Sequence, residues 1–118
     1  MDFRHEPHPD YLLVTATGPF DAQACRAEIG EVLRICSERK LAKILVDARA
    51  IGEVISIADR FELANVAAAA KVPRIAILVS RANAEHSRAF ENTAINRGAS
   101  VRTTASEEEA RQFLGIAP

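Results

Sequence analysis

The chain has 118 residues, 48% hydrophobic and 26% charged, the make-up of one globular domain that buries its core without metal or disulfide staples. Its net charge of −1 excludes a global field for nucleic acid. No apolar run approaches the ~20 residues needed to cross a bilayer, and the opening Met-Asp-Phe-Arg-His-Glu lacks a secretory apolar region, so the expected location is the cytoplasm.

Charge is uneven along the chain: residues 1–70 carry −3, residues 71–102 carry +4, and residues 103–118 carry −2. The basic stretch is spread over Lys71, Arg74, Arg81, Arg88, Arg97 and Arg102. Spread charges read first as solvated faces, with an anion or acidic-lipid site as the alternative.

In chain order, Phe3–Glu6 is a short edge strand, and His-Pro-Asp at 8–10 is a turn signal. Tyr11–Thr17 is a β-rich run ended by Gly18-Pro19, and the short link predicts an antiparallel hairpin. Asp21 caps a helix running to about Arg39, with an apolar stripe of Cys25, Ile29, Val32, Leu33 and Cys36. The two cysteines share a face about 16 Å apart along the axis, too far for a disulfide, and read as buried thiols. Gly30 interrupts this helix at a cost of about 1 kcal/mol.

Lys43–Asp47 is a compact strand. Ser56-Ile-Ala-Asp59 is a capping-box variant opening a helix with Phe61, Ala64 and an Ala67–Ala70 run, stopped at Val72-Pro73. Arg74–Ser80 is the third strong strand. Asn83 is the candidate cap of a helix burying Phe90, Ala94 and Ile95, with Gly98 following as a C′ glycine. Val101–Thr104 is a more polar strand, expected at an edge. Ser106 and Glu109 form a capping box for a last helix with Ala110, Phe113 and Leu114.

The order β-β-α-β-α-β-α-β-α predicts an α/β domain: a mostly parallel sheet of about five strands, an antiparallel N-terminal edge strand and four helices. The strands at 43–47 and 74–80 are apolar on both faces and need cover on both. Four helices in so small a domain leave room for an uncovered apolar face, a site for a dimer partner or an apolar ligand.

Ligands in parallel α/β sheets gather beyond the carboxyl ends of strands, which places Asp47, Arg49, Ser56 and Arg81 around one candidate ligand or partner site. The plainer reading is that Asp47 and Arg49 satisfy loop backbone and pair with neighbours. Ser56 is either a helix cap, worth about 1 kcal/mol against Ala, or a phospho-acceptor whose added charge the helix start stabilises. His5, His8 and His86 are scattered and read as surface residues, so no metal site and no cofactor are expected. No Gly-x-Ser-x-Gly, Gly-x-Gly-x-x-Gly or Walker loop occurs, and no nucleophile is paired with an oriented base, which argues against an enzyme and assigns no catalytic residue.

Several segments together resemble the SpoIIAA-like branch of the STAS families. They are Tyr-Leu-Leu-Val-Thr-Ala-Thr-Gly (11–18), Ile-Leu-Val-Asp-Ala-Arg (44–49), Arg-Phe-Glu-Leu-Ala (60–64) and Arg-Ile-Ala-Ile-Leu-Val (74–79). Glu91, then Asn96-Arg97-Gly98, a strand and the acidic Ser-Glu-Glu-Glu-Ala complete the set, and the likeness spans about 11–114. It implies a fold shared with CRAL-TRIO lipid-binding domains and a non-enzymatic regulatory or protein-binding role, with a regulatory protein partner and a homodimer expected; the alternative is a carrier of a lipid or other apolar ligand. It also implies Ser56 at the position where regulatory relatives accept phosphate. Their Asp-Ser-Ser-Gly motif is absent: Ile55 precedes the serine and Ile57-Ala58 follow it.

Overall fold

The computed structural model describes residues 1–52, 56, 58–59, 64–65, 68, 74–96, 98 and 100–118. Five strands form one sheet in sequential order: β1 (Asp2–Pro7), β2 (Leu12–Gly18), β3 (Lys43–Ile51), β4 (Arg74–Val79) and β5 (Val101–Thr104). β1 runs antiparallel to β2, and the other neighbours are parallel. The helices are α1 (Ala22–Arg39), α2 (Arg81–Asn96) and α3 (Glu107–Leu114). The helix expected after Ser56 lies mostly outside the described residues; within it Ala58, Asp59, Ala64, Asn65 and Ala68 carry helical backbone.

The hairpin follows from its turn. The His8 N–H donates to the Tyr11 carbonyl at 2.8 Å, and the two rings stack with centroids 4.5 Å apart. That bond sets the alternation along β1. Glu6, Arg4 and Asp2 exchange bonds with Leu13, Thr15 and Thr17, and Pro7 falls at a non-bonded position, where its missing N–H costs β2 nothing.

α1 begins where expected, with Asp21 accepting from the N–H groups of Gln23 and Ala24. It ends on Lys40 at φ 56°, whose N–H bonds the Cys36 carbonyl. The start of α2 departs from expectation. Ser80, not Asn83, is the cap: its Oγ accepts from the Asn83 N–H at 3.3 Å. Asn83 is instead buried, and its amide nitrogen donates to the Gly52 carbonyl at 3.2 Å, tying α2 to the exit of β3. The Gly52 N–H donates in turn to the Gly18 carbonyl. Ile95, expected in the core, is 47% exposed. The side chains of Phe90 and Ala94 lie outside the described residues.

The capping box of α3 closes through a third residue. Ser106 Oγ accepts from the Glu109 N–H, but the Glu109 carboxylate accepts from Thr104 Oγ1, which accepts the Ser106 N–H. Gly98 has φ 95°, the left-handed region that suits glycine after a helix.

Two cores result, one on each face. Leu12, Val14, Ile44, Ile75 and Val101 pack with Val32, Ile35 and Cys36 of α1 and with Ala64. On the other face Leu45, Ala76 and Leu78 pack with Tyr11, Ala110, Leu114 and Ile116. The division follows from handedness. Right-handed crossovers between strands laid down in sequential order return on the same side. Among the described helices α3, which follows the last strand, is the one released to the other side, where it covers β3, β4 and β5. The β1–β2 half of that second face has no described helix over it. It displays Asp2, Arg4 and Glu6, all exposed, and the half-buried Leu13, Thr15 and Thr17. The expectation of an uncovered apolar face is therefore corrected: the half left open is polar.

Candidate functional site

Asp47 and Arg49 stand two residues apart on β3, so the pleat directs both side chains to the α3 face. Arg49 grips Asp47 with two side-chain bonds, Nε to Oδ1 at 2.9 Å and Nη2 to Oδ2 at 2.7 Å. The Arg49 N–H adds a third bond to Oδ1 at 3.2 Å. Glu107, the first residue of α3, places Oε1 3.8 Å from the same Arg49 nitrogen. An acid–base–acid row thus joins the carboxyl end of β3 to the start of α3. Glu107 was not legible as its third member, because only the return of α3 across the sheet brings residue 107 to residue 49.

The row is electrostatically settled. The side-chain bond from Arg49 is the main cause holding the Asp47 carboxyl below its ordinary 3.8; partial burial opposes it and the Arg49 N–H reinforces it. The same bond raises Arg49. A folded-state value below the unfolded one means that the pair stabilises the protein above the ordinary carboxylate range. That contribution is lost as pH falls through the lowered value. Asp47→Asn is expected to cost roughly 0.5–1 kcal/mol at pH 7, because both groups are partly solvated. The difference from wild type should shrink as pH falls below the ordinary carboxylate range and vanish once the lowered Asp47 carboxyl is protonated in the folded state too. Urea denaturation at several pH values reads this, and a difference that persists in acid contradicts it.

Ser56 is exposed, and its Oγ accepts from the Asp59 N–H at 3.2 Å, the geometry of a cap. Arg81 is exposed at the first position of α2. The structure brings Asp47 and Arg49 together. Among the described contacts, none joins Ser56 or Arg81 to that pair. The reason is the layering: Ser56 leads towards Ala64, which packs with α1, whereas Asp47 and Arg49 face α3. The strand order never reverses, so no topological switch opens a crevice at this end.

The remaining candidates resolve as follows. His5, expected at the surface, is half-buried, and its Nε2 pairs with Glu28 Oε1, joining β1 to α1. Cys36 is buried and Cys25 only half-buried, with its Sγ 3.6 Å from Met1 Sδ; both thiols are free. Burial first, then Asp21 and Glu28, pushes the Cys25 thiol up to about 11, far from the range of a reactive thiolate. Among the described residues no three His, Cys, Asp or Glu side chains group as metal ligands, and no described helix is long and apolar enough to cross a membrane.

No family model matches the sequence, and no curated protein matches it. Solved structures do match. An anti-sigma factor antagonist from Mycobacterium paratuberculosis superposes with a TM-score of 0.63 at 16% identity, covering 97% of this chain and 93% of that one. The anti-sigma factor antagonist SpoIIAA in its unphosphorylated form gives 0.59 at 14% identity, over 99% of this chain and 100% of the other. The chain has the SpoIIAA-like fold. An uncharacterised Shewanella loihica PV-4 protein of the DUF3478 family, described as having this fold, gives 0.58 at 13% identity over 96% and 92% of the two chains.

Proposed function

We propose that this chain is a non-enzymatic regulatory domain that acts by binding a protein partner. What carries the reading is the whole-length likeness to two anti-sigma factor antagonists, proteins whose names state a protein-directed role. The chemistry of the site supports it. Asp47 is held ionised by three bonds from Arg49, so it is a poor general base, and Arg49 is already committed to carboxylates. Such a row offers an oriented, charged surface rather than a reactive centre. We assign Asp47 and Arg49 to that surface; Ser56 and Arg81, which no described contact joins to the pair, are separate candidates for ligand or partner contact, Ser56 as a phospho-acceptor whose exposed hydroxyl stands at a helix start. The location proposed with this role is the cytoplasm.

The carrier reading has less support, since the open half of the sheet displays Asp2, Arg4, Glu6, Thr15 and Thr17. Calorimetric titration of the purified chain with anti-sigma factors of the same cell tests the proposal. Saturable binding is expected, with Arg49→Glu weakening it tenfold or more through the reversed charge. Absence of binding to every one of them, together with an apolar molecule retained in native mass spectrometry, would overturn it in favour of the carrier.

A further inference from the structure

The two edges of the sheet are treated differently. Beyond β5, Glu91 of α2 accepts from the Thr103 N–H at 3.0 Å and from Thr103 Oγ1 at 2.8 Å, so that edge is occupied by the protein itself. Beyond β1 no described element lies. The alternation set by the His8–Tyr11 bond directs the free backbone groups of Phe3, His5 and Pro7 outwards along that edge. An edge of this kind is open to a further strand, unless its charges repel the newcomer.

We propose that the open edge is a self-association surface, on which β1 of a second copy pairs antiparallel about a twofold axis at His5. The charge pattern Asp2-Phe3-Arg4-His5-Glu6 selects that register. With His5 opposite the partner's His5, Arg4 stands opposite the partner's Glu6 and Glu6 opposite the partner's Arg4, both pairs on the open polar face. Sliding either way to the next bonded register sets like charges together. Phe3 opposite the partner's His5 puts Arg4 against the partner's Arg4 and Asp2 against the partner's Glu6. His5 opposite the partner's Pro7 puts Glu6 against the partner's Glu6. A register centred on Phe3 also pairs Asp2 with the partner's Arg4, but over fewer strand residues. Pro7 lacks an N–H, so the pairing closes at each end with one bond, from Phe3 N–H to the partner's Pro7 carbonyl. Charges that deter an unrelated strand are complementary to a second copy of this one, and the result is a continuous ten-stranded sheet. The proposal stands on β1 alone and does not depend on the regulatory reading.

Sedimentation of the purified chain over about 10 µM to 1 mM tests it, the range expected for a dimer held by one strand pair. Wild type is expected to dimerise within that range. Arg4→Glu and Glu6→Arg should each weaken the dimer roughly tenfold, since each turns two attractive cross-strand pairs repulsive. Mixing those two variants, or combining both changes in one chain, should restore it, because every Arg4–Glu6 position is then complementary again. Both substitutions fall on exposed side chains, and circular dichroism confirms that each variant is folded. A wild-type chain monomeric at 1 mM, or a dimer indifferent to the single changes, overturns the proposal. So does a dimer that both single changes weaken but neither mixing nor combining restores.

Discussion

Leu78→Ala is expected to destabilise the protein by about 3 kcal/mol, within the ~2–5 kcal/mol range for emptying a fully buried leucine site. The side chain is 1% exposed and belongs to the core beneath α3, with Leu45, Ala76, Ala110 and Leu114. One short helix closes this core, and the small Ala76 and Ala110 cannot swell to fill the gap. A loss of that size should lower Tm by roughly 10 °C in a domain of this length. Thermal and urea denaturation measure it. Leu13→Ala, at the half-buried margin of the same core, should cost clearly less. Equal effects at the two positions would mean that α3 does not seal the face as described.

Glu91→Ala is the second substitution with a large expected effect, about 1–3 kcal/mol. The Glu91 carboxylate, 19% exposed, accepts two bonds from Thr103 and lies 3.4 Å from Arg102 Nε. Its removal strands an edge N–H that β4 does not reach, and leaves Arg102 with Glu109 as its remaining acidic neighbour. Glu91→Gln retains an acceptor and should fall between wild type and Ala. Amide hydrogen exchange localises the effect. Faster exchange at Thr103, with β3 amides unaffected relative to global stability, is the expected pattern; unchanged exchange at Thr103 would show that the bond contributes nothing there.

Both substitutions bear on how this small sheet is closed. β5 is protected by a side chain from a neighbouring helix, and the second face, among the described residues, by α3. Among the described residues a polar half-face and one edge are left open, and the proposed self-association is placed on that edge. The stability of the fold and the availability of its binding surfaces thus come from the same arrangement of helices.

Much of the architecture was legible locally. The hairpin followed from its turn residues, α1 from Asp21 and its apolar spacing, and β4 from an apolar run too dense for one-sided burial. These depend on contacts within a few residues, which chain order specifies. The errors arose where a distant segment intervened. Asn83 has the chemistry of a cap, but Ser80 is better placed for it, and the Gly52 carbonyl captures the Asn83 amide. Ile95 fits the apolar stripe of α2, yet its side chain is 47% exposed. His5 looked like a surface residue until α1 brought Glu28 to it.

At the site, the sequence by itself placed Asp47 and Arg49 at the carboxyl end of one strand and Ser56 at a helix start; that β3 continues to Ile51, so that both side chains share one face, came from the structure. Tertiary structure alone decided that Glu107 joins the first two and that Ser56 leads to the opposite layer. The physical reason is the handedness of the crossovers, which keeps the helices between sequential parallel strands on one side and, among the described helices, frees the last to cross to the other. No local pattern records which side of the sheet a helix takes, and that choice separates the four residues into two groups.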